Sequence, residues 1–255
     1  MIMRGYCLTA ILLSAFPLLA HPPVSVVFDS RGNAYYSDLE QVWQVAPDGT
    51  KRVVMPRVHT HELYMDAQDN LFGEHSWYSG ERTNTYGHYV WRRDARGRVT
   101  KVIPDTAGFL TNYSFVRDRA GRMYVAKEGA VMRGNDVLAR GFRDIRWMNV
   151  IPDGTLFLVD LTDILRITPD KRLTRLARLG GARHDVQGLW LDRAGNVYVA
   201  HSARGMVKRV TPSGAVTVVD ESVPPWKPSG GAIDRGGRLW VLEYTPTNAV
   251  RLRRH

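Results

Sequence analysis

Six ionisable residues recur at one offset along this chain: Asp38, His75, Lys127, Asp160, His201 and Glu243. Each stands six positions beyond a turn residue, namely Gly32, Asp69, Gly121, Gly154, Gly195 and Gly237. Lys and Arg number 35, Asp and Glu 25 and His 8 among 255 residues, so six ionisable residues of six at one offset is not composition alone. His75, His201, Asp38 and Asp160 supply two imidazoles and two carboxylates. If the fold carries them to one axis, they make a candidate set for a divalent ion such as Ca, Zn or Mg. Such an ion would acidify a bound water or polarise a carbonyl. Lys127 and Glu243 would face each other across the same opening. The competing expectation is that Asp38 and Asp160 only cap loops.

A denser group lies between residues 59 and 75. His59-Thr60-His61-Glu62 leads into one apolar run, and Glu74-His75 ends the next. Antiparallel neighbours would bring these ends to one edge of a sheet. His61 is therefore a further metal-ligand candidate, and Glu74 or Glu243 a candidate general base. An insertion near Trp77 to His88 places Tyr78 and His88 within reach as a lid or wall, because long loops at one rim commonly carry function. His184-Asp185 are candidates for the same rim. Trp77, Tyr113, Trp147 and Trp226 are read either as walls for a ring-shaped ligand or as packing between neighbouring units.

The elements that position these residues follow from a repeat. Val26-Val27-Phe28-Asp29-Ser30-Arg31-Gly32-Asn33-Ala34-Tyr35-Tyr36 is an apolar run, a turn and a second apolar run. The phrase returns around Asp66, Asp118, Asp153, Asp192 and Asp234, with turn residues 37, 52, 33, 41 and 42 positions apart. Asp-x-x-Gly is turn chemistry: the carboxylate accepts from backbone two residues on, and glycine takes positive φ without strain. The flanking β-branched and aromatic residues are strand formers. Pro47-Asp48-Gly49, Pro169-Asp170 and Pro212-Ser213-Gly214 close a second hairpin in several units. About forty residues and four antiparallel strands per unit predict an all-β fold, a six-bladed β-propeller over residues 21–255. The sixth unit runs out after its third strand, so the last blade is expected either to have three strands or to mark a shifted register.

These Asp-x-x-Gly-Asn-hydrophobic-Tyr-Val runs and Pro-x-Gly turns resemble the NHL-repeat and gluconolactonase-like six-bladed propellers over nearly all of residues 24–254. The resemblance implies the fold, and with it two functional expectations. One is a divalent-metal-dependent, lactonase-like hydrolase or lyase acting on a small molecule at the top of the central channel. The other is a non-catalytic propeller that binds a ligand or protein through its top rim. The metal-ligand Glu that the resemblance implies in the first strand of the first blade has no counterpart in Val24-Ser25-Val26-Val27-Phe28.

Residues 1–20 read as a signal peptide, with Arg4 ahead of an apolar stretch that ends at Ala20. The stretch is short for a bilayer span. The expectation is therefore a periplasmic or secreted protein without stable membrane insertion. Cys7, the only cysteine, falls in this segment, so the remaining chain has no thiol chemistry. The net charge of +10 is carried mainly by scattered arginines. It suits anionic partners such as envelope polysaccharide or lipid headgroups, or equally a solvated outer surface with a bias toward arginine; the partner expected is a small-molecule or envelope ligand, and a protein partner is also compatible. No nucleic-acid-binding motif accompanies the charge. Nucleophile-elbow, phosphate-loop and CxxC motifs are absent, which leaves acyl-enzyme, nucleotide and dithiol chemistry without support.

Overall fold

The computed structural model describes residues 22–80, 82–111 and 113–255. The residues read as a signal peptide lie outside it. The described chain is six antiparallel sheets arranged as the blades of a propeller. Blade 1 holds β1 (Val26–Phe28), β2 (Ala34–Ser37), β3 (Gln41–Val45) and β4 (Lys51–Pro56). Blade 2 holds β5 (Leu63–Met65), β6 (Leu71–Tyr78), β7 (Tyr86–Arg93) and β8 (Val99–Ala107). Blade 3 has β9 (Tyr124–Lys127), β10 (Ala130–Arg133) and β11 (Asp136–Arg140). Blade 4 has β12 (Ile145–Val150), β13 (Leu156–Asp160), β14 (Asp163–Ile167) and β15 (Leu173–Arg178). Blade 5 has β16 (Val186–Leu191), β17 (Val197–His201), β18 (Met206–Val210) and β19 (Val216–Glu221). Blade 6 has β20 (Lys227–Ile233), β21 (Leu239–Tyr244) and β22 (Val250–Arg254).

Turn chemistry sets the pattern. All six turn residues have positive φ, from 59° at Asp69 to 91° at Gly154. In blade 2 a non-glycine residue, Asp69, occupies the left-handed region, which Asp and Asn tolerate better than other side chains. Asp29 shows how the turn is held: its Oδ1 accepts from the N–H groups of Arg31 and Asn33 at 3.0 and 2.9 Å. Asp66, Asp118, Asp192 and Asp234 repeat the arrangement.

The core lies between blades. Buried apolar clusters join blades 1 and 2, 3 and 4, 4 and 5, 5 and 6, and 6 and 1. Trp91, Tyr36 and Tyr124 are the largest fully enclosed side chains. Each such ring contributes on the order of 2–3 kcal/mol through burial alone. Blade 3 departs from the others. Among the described residues, its inner segment forms no named strand and meets β9 through the Arg117–Met123 bridge, a bond from Tyr124 N–H to the Val116 carbonyl at 3.0 Å and the turn bond from Asp118 N–H to the Arg122 carbonyl at 3.2 Å.

Closure resolves as a three-stranded last blade with the register read from the turns. Ser25 bridges Gly231 in parallel, and the Ser229 hydroxyl donates to the Pro23 carbonyl at 2.6 Å. The inner strands of blades 5, 6 and 1 crowd together here. A Cβ on Gly230 would fall 1.9 Å from the Val24 carbonyl oxygen. Gly230→Ala should therefore destabilise the fold by about 1–3 kcal/mol, because the obstacle is backbone and cannot rotate away. Urea unfolding checks this, and an unchanged midpoint would mean that the seam is not tight.

Candidate functional site

The inner strands β1, β5, β12, β16 and β20 surround a central channel with a cavity of about 850 Å³. Glu62, Tyr64, Arg117, Arg146 and Trp147 are among its polar and aromatic lining residues. At the rim where the chain enters each inner strand, the second strands of blades 1, 3, 4, 5 and 6 also end, whereas β6 of blade 2 runs on to Tyr78, so Glu74 and His75 lie within that strand rather than at the end expected for them. All six offset residues belong to this rim.

Several of their side chains turn toward the connection entering their own blade. The His59 N–H donates to His75 Nδ1 at 2.9 Å. Asp160 Oδ1 accepts from the N–H groups of Arg143 and Asp144 at 3.0 and 2.7 Å. Asp38 holds its own hairpin, accepting from Gln41 N–H at 2.9 Å and from the Trp43 indole at 2.6 Å. Lys127 is exposed. Glu243 is fully buried and paired with Arg251 and Arg253 at 2.6 and 3.0 Å. His201 is buried, neither ring nitrogen has a hydrogen bond, and Asp185 Oδ2 lies 3.8 Å from its Nε2. Burial lowers the pKa of His75 and of His201 and so favours the neutral rings. Among the described residues, no three His, Cys, Asp or Glu side chains are grouped so as to hold a metal ion. Asp38 and Asp160 accept from N–H groups of their own loops, and the structure does not bring the five residues read as ligands together as one group.

The group that the structure does assemble lies on blade 2. Glu74 is buried, and its Oε1 accepts from the His61 N–H at 2.5 Å. The His61 ring Nδ1 is 3.2 Å from the same oxygen, and the Glu62 N–H is 3.3 Å away. Glu74 Oε2 is enclosed without a hydrogen-bond partner. The His59 ring lies edge-on to His61, 4.7 Å between centroids. His88 and Tyr78 stand apart from this group. The His88 ring bonds the Gly108 carbonyl at 2.7 Å, and Tyr78 is exposed near the tip of the long β6–β7 hairpin. Of the aromatic residues, Trp147 faces the channel and donates to the Val186 carbonyl at 3.1 Å, whereas Trp226 packs beneath the Arg251 guanidinium.

Glu62 is the residue that site reading from the sequence passed over. It is enclosed by protein and keeps only part of its surface open, toward the channel. Burial, and then the charge of Glu74, raise its pKa to about 7. A carboxyl with that value exchanges protons at neutral pH, the property that a general acid or base needs. Its only signal in the sequence is an acidic residue at the threshold of an inner strand. Arg146 lines the same channel half-buried. Its Nη1 lies 2.6 Å from His184 Nδ1, and no carboxylate of the described residues pairs with it. The channel thus offers a proton-transfer group and a guanidinium with donors to spare.

No protein-family model matches the chain, and no curated protein matches it in sequence. Solved structures do match in shape. One, from Thermus thermophilus, carries the description oxidoreductase (glucose dehydrogenase), at 13% identity over 94% of this chain and 98% of that one, TM-score 0.60. Another is an auxiliary nutrient binding protein of Bacteroides thetaiotaomicron, at 13% identity over 92% and 70%, TM-score 0.58. A third is a catalytically inactive virginiamycin B lyase of Staphylococcus aureus with quinupristin, at 14% identity over 91% and 83%, TM-score 0.51. Identities this low establish architecture alone. The chain is a six-bladed β-propeller, similar in fold to structures that carry oxidoreductase, nutrient-binding and lyase descriptions.

Proposed function

We propose that this chain is an exported propeller that hydrolyses or eliminates from a small anionic molecule held in its central channel, with Glu62 moving the proton. One observation carries the reading: a carboxyl with a pKa of about 7 opens onto a cavity of about 850 Å³. In an elimination, Glu62 takes the proton from the carbon beside a carbonyl, the double bond forms, and the bond to the β leaving group breaks. In hydrolysis it takes the proton of the attacking water. Arg146 offers donors to a substrate carboxylate or to a developing oxyanion. Lyase and nutrient-binding descriptions among the similar folds are compatible with such chemistry and do not select it.

Exposed rings favour a second reading, a propeller that binds a ligand or protein over its top rim. The Tyr86 and Phe109 rings pack at a 40° tilt with centroids 4.5 Å apart beside the long hairpin, and Phe109 is 75% exposed. A panel of lactones, and of acids with a leaving group β to a carbonyl, separates the two, with products read by mass spectrometry. Turnover that survives a chelator supports Glu62 as the proton-transfer group. Turnover that requires added Ca, Mg or Zn returns the divalent ion to the mechanism and overturns the metal-free form. Ligand-dependent shifts in melting without turnover support the binding reading.

A further inference from the structure

Blades 2 and 3 meet differently from the other neighbours. Buried apolar clusters fill the other five interfaces. Among the described residues no such cluster joins blades 2 and 3, and a second cavity of about 770 Å³ lies there instead. The cause is visible in the topology. Blade 3 offers a single bridge at Arg117 where the other blades offer an inner strand, so Phe72 of β6 and Ile103 of β8 face a gap.

Aromatic rings line this gap together with the half-buried Arg117 and the exposed Arg119, and Asp66 and Asp118 also border it. Tyr64, Phe72 and Tyr113 line it, with Tyr64 and Phe72 at 5.8 Å between centroids. The Arg117 guanidinium lies 5.0 Å from the Tyr113 ring and 5.8 Å from the Tyr64 ring. Its Nη1 donates to the Gly121 carbonyl at 3.2 Å, and no carboxylate of the described residues pairs with it. Neighbouring carboxylates are already engaged: Asp118 by Arg122 and two N–H groups, Asp66 by its own turn. A half-buried guanidinium held between rings, with unused donors, suits a planar anion that can stack and accept at once.

We propose that the cavity between blades 2 and 3 is a binding site for a planar aromatic carboxylate, with the carboxylate on Arg117 and the ring among Phe72, Tyr64 and Tyr113. Tyr64, Arg117, Val150 and Pro152 line this cavity and the channel alike, so the two compartments adjoin. The proposal stands independently of the role given to Glu62.

Calorimetric titration of the mature chain with 2-naphthoate tests it, with the uncharged 2-naphthamide as comparison. The expected result is saturable one-to-one binding of naphthoate, weakened at least tenfold for the amide. Ile103→Trp, which fills only the side cavity, should weaken naphthoate at least tenfold, as should Arg117→Leu. Leu189→Trp, which intrudes only on the channel, should leave binding unchanged. Should Ile103→Trp fail to fold, Ile103→Phe takes its place. No binding, unchanged affinity in the filling variant or in Arg117→Leu, or loss only in Leu189→Trp would each overturn the proposal. None of these results depends on turnover, so the two proposals fail separately.

Discussion

Glu62→Gln should remove turnover and stabilise the fold at the same pH. The carboxyl has a pKa of about 7 in the folded chain, against 4.5 for an ordinary glutamate. Between those values the folded state binds the extra proton, so stability falls as pH rises from 4.5 to 7. At about 1.4 kcal/mol per unit, the loss is at most about 3.5 kcal/mol above pH 7 and is reduced by whatever channel water reaches the group. Glutamine keeps the shape without the titration. Wild type and variant should therefore unfold alike at pH 4, and the variant should become progressively more stable toward pH 8. Denaturant unfolding at pH 4, 6 and 8 measures the divergence. Turnover should fall by about 100- to 10,000-fold, the usual worth of a positioned acid or base. A stability difference that does not change with pH would mean that the carboxyl is not raised, and the proton-transfer reading would sink with it. Glu74→Gln should shift the activity profile toward lower pH, since it removes the second cause of the elevation and leaves an oxygen for the His61 N–H.

The six blades were legible because their turns are local. Asp29 and Gly32 settle a hairpin within five residues, and every copy could be recognised without knowing its neighbours. The rim was legible as a place but not as a set of directions. His75 and Asp160 turn toward the connections ahead of β5 and β12, because those connections present backbone N–H groups that nothing else satisfies. The path of an inter-blade connection is a tertiary property and leaves no mark at position 75 or 160. Glu62 was obscured for a related reason. Its character comes from enclosure by the inner strands and from Glu74, twelve residues on, whereas its local context is an ordinary charge before a strand. The gap at blade 3 had no signal at all. Phe115-Val116-Arg117 reads like any other inner strand, and only the assembled ring shows that its pairing is reduced to one bridge.

Arg253→Met should be among the most damaging single changes to stability, at about 3–5 kcal/mol. Blade 6 has three strands, and its outer strand β22 places Arg251 and Arg253 on one face, two positions apart. Both reach the fully buried Glu243. Arg253 also holds Asp220 of β19 at 2.5 Å, so one guanidinium ties blade 5 to blade 6. A buried ion pair need not outperform apolar residues of the same size, but deleting one partner leaves an uncompensated charge. Methionine retains the stem and removes only the charge and its donors. Lys171→Ala, which breaks an exposed pair with Asp136, should cost less than about 1 kcal/mol and serves as the contrast. The pH dependence adds a sign. Burial alone would raise the Glu243 carboxyl, but its bonds to Arg253 and Arg251 outweigh burial and leave its pKa lowered. Its contribution is thus fully present above about pH 4.5 and is lost as pH falls further. In Arg253→Met that acid-side loss should be shallower, because much of what acid would remove is already gone. A variant that melts with wild type at pH 7 would show that Arg251 alone suffices for Glu243, and that blade 6 is tied to blade 5 by its apolar contacts rather than by this charge.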